Sequence, residues 1–378
     1  MRLPPVSPNT GGYCRARQRL PEALLSGLAC ERGDGLSRLA GPEHLFHGRS
    51  VKVVDGSSVS MPDTRANQES FLQPTGQKKG CGFPVAAILG VFCLATGAAL
   101  GLEIGPWVSA DLSLFRGLRG LIGRGDILLA DRAFCSFAEL ALAVQRGADV
   151  LMRLHCRRKP DFSRGRILGL QDHIATWTRP DRRPPGLPQE DYELLPDTLD
   201  VREIRYRVEA HGFRTRSVTL ATTLTDPSLY PVEELAALYA RRWDVELDFR
   251  HIKTTLGMEV VRGRTPAMVR KEIWAYLLAY NLVRSWIWQA AGESGALPLR
   301  ISFKGTIQQL GAWQGLFRAC TVGTTRSHVQ ALLGFVGQQI VPSRPSRVEP
   351  RVRKRRPKIY PLMTRPRQEL RDLLGAGA

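Results

Sequence analysis

No two of the seven cysteines form a C-x-x-C pair. Cys14, Cys30, Cys81, Cys93, Cys135, Cys156 and Cys320 are scattered and odd in number, which argues against a zinc site and a disulfide framework and suits reduced thiols in a cytosolic protein. The seven histidines lack metal-ligand spacing; His44 and His47 come closest, and without a partner cysteine that pair reads as solvated. The opening MRLPPVSPNTGGYCRARQR has no apolar core of a secretory signal, and no segment repeats. Acid is scarce as well. Against 35 Asp and Glu stand 54 Lys and Arg, a net charge of +19 over 378 residues, with a pI near 10.2. Such a balance points to a polyanionic partner, nucleic acid ahead of lipid.

Long uncharged runs are rare too, with one exception. Gly80–Leu102 carries no charge for 23 residues, enough by length to span a bilayer. Its five glycines and one proline, with ATGAALG in the middle, favour two consecutive buried strands instead.

The length predicts two or three domains. A helix is expected over Arg17–Ala29, with Leu20, Leu24, Leu25 and Leu28 at helical spacing. GRSVKVVDGSS reads as a buried strand ending at Asp55, and residues 60–80 as a polar loop. After the apolar hairpin come a helix around Ser113–Leu121, a short strand Ile127–Ala130 that delivers Asp131, a helix Phe137–Gln145 and the strand DVLMRLH. From Arg157 to Thr225 alternating charged runs predict antiparallel strands with long loops. A long helix over Thr265–Ala291 follows, mostly helical chain to Ile340, then a flexible basic tail. From Val341 onward that tail has eleven Lys and Arg against three acids.

The chain is organised around Tyr239-Ala-Arg-Arg-Trp-Asp-Val-Glu246-Leu-Asp-Phe-Arg-His-Ile-Lys253. Nothing breaks a helix from Pro231, suited to the first helical position, to Leu256, and Gly257 stops it. At about 100° per residue, Leu238, Val245, Phe249, Ile252 and Leu256 share a stripe about 60° wide that faces a core. Beside it Tyr239, Arg242, Glu246, Arg250 and Lys253 gather within about 80°, while Asp244 and Asp248 point away. The plain reading is a surface helix laced by Arg242–Glu246–Arg250 ion pairs. Replacing Asp248 is then expected to change almost nothing.

Two aspartates, Asp55 in VKVVDGS and Asp131 in ILLADRAF, sit where strands end, the usual place for sites in α/β folds. Singly each reads as a turn cap. Asp63, in a loop, and Asp126, at the other end of its strand, are decoys. Two such aspartates with a helix-borne glutamate, in a basic protein, are what two-metal phosphodiester chemistry requires.

Here the sequence resembles a known family. Y-x2-R-x3-E-x6-K, met by Tyr239, Arg242, Glu246 and Lys253, is the signature of DDE transposases of bacterial insertion sequences, in the insertion-sequence-four group. Asp55-Gly56-Ser57 and Ala130-Asp131-Arg132-Ala133-Phe134 match that family's contexts for its two aspartates. RTPAMVRKEIWAYLLAYNLVR and RISFKGTIQQL also look like its segments, so the likeness covers roughly residues 10–365. It implies an α/β fold: a ribonuclease-H-like catalytic core with a β-rich insertion before the catalytic helix, plus a helical C-terminal region. The expected divisions are a partial helical end-binding segment over 1–48, the first part of the core over 49–156, and the insertion over 157–228. The catalytic helix occupies 229–260, a helical region 261–342 and the basic Pro-rich tail 343–378.

The resemblance further implies that Asp55, Asp131 and Glu246 are catalytic and hold two Mg²⁺ ions, for which Mn²⁺ substitutes. Tyr239, Arg242 and Lys253 then contact DNA, with Trp243 a lesser candidate. The implied partners are double-stranded DNA, as transposon ends and as target, and a second copy of the chain in a synaptic homodimer; no membrane is involved. The implied place is the bacterial cytoplasm, at the nucleoid when DNA-bound. One departure stands out: only 54 residues precede Asp55, fewer than a complete end-binding domain, as from a misassigned start codon or a truncated reading frame. The alternatives are a catalytically inactive DNA-binding remnant and a membrane protein built around Gly80–Leu102.

Overall fold

A computed structural model describes residues 10–208, 217–342 and 361–375. Nine strands among them form one sheet: β1 (Val51–Ser60), β2 (Val85–Cys93), β3 (Ala99–Pro106), β4 (Ile127–Ala130), β5 (Asp149–Arg153), β6 (Arg166–Gly169), β7 (Asp172–Thr178), β8 (Thr198–Arg207) and β9 (Ser217–Thr222). Their spatial order is β3-β2-β1-β4-β5-β9-β8-β7-β6. β1, β4 and β5 run parallel, and β2 lies antiparallel between β1 and β3. β9 joins β5 antiparallel and carries the meander β6–β9 onto the same sheet.

Alternation along the central strands sends side chains to two apolar layers. Val53 and Leu129 enter one, Val54, Leu128 and Ala130 the other. The second layer is covered by α4 (Asp111–Leu118) and α5 (Phe137–Gln145), the latter capped by Ser136, whose hydroxyl accepts from the Glu139 N–H. The first is covered by the helical run beginning with α7 (Val232–Ala240) and by α9 (Pro266–Ser294). α9 starts where the sequence places it, behind the cap Thr265, and ends at Gly295 in the left-handed region (φ 68°). α10 (Phe303–Ala319) and α11 (Val322–Gly337) pack onto it. Gly80–Leu102 supplies β2 and β3, and no described helix is long and apolar enough to cross a membrane.

Several expectations need correction. The helix expected over Arg17–Ala29 is broken at Leu20–Pro21 into α1 (Gly11–Arg19) and α2 (Glu22–Ser37), because Pro21 lacks the N–H that would continue the first. Two of its leucines leave the buried face: Leu24 and Leu28 are exposed, while Leu25 packs partly against the core and Ala29, Gly33 and Leu36 face inward. Residues 60–80 are not all loop, since α3 (Arg65–Phe71) forms there with Thr64 accepting from the Asn67 N–H at 3.2 Å. α6 (Gln189–Glu193) interrupts the insertion's long loop. Much of the tail from 343 lies outside the described residues; within them α12 (Arg367–Gly375) is helical.

Small residues on α2 have a steric cause. Asn281, fully buried on α9, donates to the carbonyls of Ala29 and Ala99 at 2.9 and 2.8 Å and accepts from the Ala99 N–H at 2.9 Å. A Cβ on Gly33 would lie 2.0 Å from the Ala99 carbonyl oxygen and 2.9 Å from Asn281 Nδ2. Gly33→Ala is therefore expected to push α2 off β3 and cost about 1–3 kcal/mol in chemical denaturation. Gly35→Ala, whose Cβ meets nothing within 4 Å, is the control and should gain a few tenths or more through helix propensity.

Candidate active site

The sheet brings the two aspartates together by register. Val51, Lys52 and Val53 of β1 pair with Ile127, Leu128 and Leu129 of β4. Continued by two residues, that register sets Asp55 beside Asp131, on strands about 4.8 Å apart. Both share the face of Val53 and Leu129, under the helical run. The strand does not end at Asp55, as its sequence suggested. β1 continues to Ser60 along β2, and only its pairing with β4 stops, which opens space beside Asp55.

The helical run is continuous but not uniform. After α7 come a 3-10 turn (Arg241–Trp243), α8 (Asp244–Arg250) and a π turn (His251–Thr255). Pro231 is its cap, with Val232 the first helical residue. Leu238, Val245, Phe249 and Ile252 are buried as their stripe predicts, and Leu256 packs against the same cluster. The expected ladder of ion pairs is not formed: among the described residues Glu246 and Arg250 take no salt bridge. Arg242 reaches across to the sheet, its Nη1 3.2 Å from Asp55 Oδ2. Its guanidinium lies 4.4 Å from the ring centroid of Trp243, which is half exposed.

Each remaining candidate has a defined place. Asp55 Oδ1 accepts from the Gly56 N–H at 2.9 Å, and Asp131 Oδ1 from the Ala133 N–H at 2.7 Å. Burial holds the Asp55 carboxyl above the usual carboxylate range; Gly56 and Arg242 oppose this, and the charges of Asp131 and Glu246 add to it. Asp131 and Glu246 thus both act on Asp55, although Glu246 is exposed. Lys253, in the π turn, donates from Nζ to Ser57 Oγ at 3.1 Å. Tyr239 is buried, and its hydroxyl is pushed up to about 12 by that burial, with Arg242 opposing.

One carboxylate was missed in the sequence. Asp111, the first residue of α4, lies against the backbone beside Asp55: a Cβ on Gly56 would be 3.0 Å from Asp111 Oδ1. Burial and the charge of Asp131 raise its carboxyl above the ordinary value. An acid opening a helix after a strand, in VSADLSLF, was the available signal. The decoys fall elsewhere, Asp126 on Lys52 at 2.7 Å and Asp63 on Gln68 at 2.8 Å.

Among the described residues no group of three or more His, Cys, Asp and Glu is placed to hold a metal ion. The donor chemistry nevertheless fits one. Asp55, Asp131 and Glu246 offer hard carboxylate oxygens, the ligands Mg²⁺ takes. The repulsion that Asp131 and Glu246 exert on Asp55 is of the kind a divalent cation relieves.

A family model described as the transposase DDE domain matches residues 46–282. Transposase InsG for insertion sequence element IS4, of Escherichia coli strain K12, is 26% identical over 354 residues, 92% of this chain and 77% of that protein. Putative transposase y4zB of Sinorhizobium fredii is 40% identical over 63 residues, 17% of this chain and 18% of its own. Among solved structures, the piggyBac transposase synaptic complex with hairpin DNA aligns with TM-score 0.44 at 8% identity. That alignment covers 78% of this chain and 59% of the piggyBac chain.

Proposed function

The chain belongs to the transposase DDE-domain family, and from that premise we propose that it cuts DNA at the terminal inverted repeats of an insertion sequence and transfers the freed strands to target DNA. The observation that carries this reading is that Asp131, set beside Asp55 by the parallel register, and Glu246, on the crossing helix, both act on the Asp55 carboxylate. The strand order β3-β2-β1-β4-β5, with β2 alone reversed, supports a ribonuclease-H-like core over 49–156, completed by the catalytic helix at 229–260. On this reading the β-rich insertion spans 157–228 and the helical C-terminal region 261–342. Residues 1–48 are then an end-binding segment and 343–378 a basic tail.

Asp55, Asp131 and Glu246 would hold two Mg²⁺ ions, or Mn²⁺ in their place. When bound, the metal supplies Lewis-acid stabilisation of the charge that develops during phosphodiester displacement. The protein's own share is positional and electrostatic. Arg242 and Lys253 stand beside the carboxylates as phosphate ligands, Tyr239 supports them from the buried side, and the net charge of +19 draws the duplex in. Two copies pair in the synaptic complex, in the bacterial cytoplasm at the nucleoid.

Incubating the protein with a duplex that carries the element's inverted repeat should give strand cleavage at the repeat's end in Mg²⁺ and none in EDTA. Binding without any metal-dependent cut would instead mark a DNA-binding remnant.

Lys253→Ala removes a cation but no core contact, so the fold should persist. Charge-assisted hydrogen bonds contribute about 1.5–3 kcal/mol, so end binding should weaken about tenfold and cleavage should fall further. Wild-type cleavage by this variant would reduce Lys253 to a solvated partner of Ser57.

A further inference from the structure

Arg242 is placed to serve two partners in turn. It is 6% exposed, its Nη1 lies 3.2 Å from Asp55 Oδ2, and its buried Nε has no hydrogen-bond partner among the described residues. A buried guanidinium with one N–H unsatisfied is incompletely paired, and such a group draws in an anion. The carboxylate it pairs with is one of the three assigned to metal. A guanidinium on Asp55 occupies a lone-pair direction that a metal ion would use, and its charge repels any divalent cation brought beside it. A metal ion on the Asp55 carboxylate would compete with Arg242 for that lone pair and feel the repulsion of its guanidinium charge.

We propose that Arg242 is a resident counter-cation of the site, holding Asp55 in the free protein and released to a DNA phosphate when metal takes the carboxylate. The inference rests on the reading of Asp55, Asp131 and Glu246 as the metal-binding set. The route is short: Arg242 sits on a 3-10 turn at the rim of the site, beside the half-exposed Trp243. Rotation of the side chain would bring the guanidinium, Nε included, to an anion without moving the helix. Metal and phosphate then assist one another: each removes from Arg242 or Asp55 the partner that competes with it. In the free protein Arg242 also keeps Asp55 neutralised in a site where two further carboxylates press on it. The residue is thus a positioning residue for Asp55 before it is a phosphate ligand.

The experiment is Mn²⁺ binding to the DNA-free protein, followed by the loss of the free-ion electron paramagnetic resonance signal, for wild type, Arg242→Gln, Arg242→Lys and Glu246→Gln. Arg242→Gln should bind Mn²⁺ about tenfold more tightly than wild type, because a competing and repelling charge is gone. Arg242→Lys should gain less in the same direction, through its shorter reach and unforked ammonium. If Arg242→Gln does not fold by circular dichroism, the lysine variant decides. Mn²⁺ affinity that depends on Glu246 but is unchanged or weakened by both Arg242 substitutions overturns the exchange and leaves the three-carboxylate reading standing. Affinity that Glu246→Gln does not alter overturns both.

Discussion

Replacing Glu246 by Gln is expected to lower cleavage of end DNA by about three orders of magnitude or more while the protein still binds the duplex. The substitution keeps size and helix propensity and removes a charge that the proposed metal site would need. Glu246 is exposed and, among the described residues, makes no salt bridge, so nothing in the core depends on it. Its loss also removes a negative charge that acts on Asp55, and the local potential becomes more positive. Binding to end DNA should therefore survive or tighten. A surface role alone predicts unchanged chemistry and a stability change of about half a kcal/mol at most. Glu233→Gln, an exposed first-turn residue of α7, is the control, and it should cut as wild type does. Mg²⁺-dependent cleavage by Glu246→Gln at a rate near wild type would remove Glu246 from the catalytic set.

What could be read from the sequence was periodic or local. The stripe through Leu238, Val245, Phe249 and Ile252 is buried as helical spacing requires, and the alternating runs of the insertion are antiparallel strands. The uncharged Gly80–Leu102 run is a buried hairpin for the composition-based reason its glycines gave. What escaped depends on distant partners. The pairing of Arg242 with Asp55 joins residues 187 apart in sequence, so helical angles alone offered only Glu246 as its partner. Leu24 and Leu28 of α2 satisfied helical spacing yet face outward, because the side that meets β3 and α9 lies too close to them for anything larger than glycine at position 33. Asp55 looked like a strand end because a polar residue followed by Gly usually marks one; β1 continues because β2 still pairs with it. Asp111 escaped because its proximity to Asp55 is set by the path of α4 over the sheet, not by spacing in the chain.

Asp248 is the sharpest case, and it carries the second large prediction. Its helical angle points away from Glu246, which made it look inert. That direction leads into α9, not into water. Asp248 is 6% exposed, accepts from the Tyr280 hydroxyl at 2.8 Å and forms an ion pair with Arg284, itself 4% exposed. Arg284 Nε donates to the same hydroxyl at 2.9 Å. Its guanidinium lies 5.3 Å and 5.5 Å from the ring centroids of Tyr280 and Phe303, and His251 of the π turn stacks on Phe303 at 4.6 Å. Burial, reinforced by the Arg284 and Arg250 charges, holds His251 down to about 3, so the ring stays neutral at physiological pH and adds no further cation. Among the described residues Asp248 is the one carboxylate paired with the Arg284 guanidinium. Asp248→Ala should cost about 3–5 kcal/mol, since it strands the Arg284 charge away from water. Asp248→Asn should lose much of that as well, because an amide keeps an acceptor but not the charge. Tyr280 retains the Gly97 carbonyl, 2.6 Å from its hydroxyl, so the loss is assigned to Arg284. The cycle that tests this adds Arg284→Met to Asp248→Leu: an apolar pair of similar volume should recover most of the stability, with a coupling of about 2 kcal/mol or more by chemical denaturation. Because the pair ties α8 to α9, cleavage should fall with either single substitution and return in the double variant. An Asp248→Ala protein that unfolds within about 0.5 kcal/mol of wild type would mean that the pair contributes nothing to the anchoring of α8 on α9.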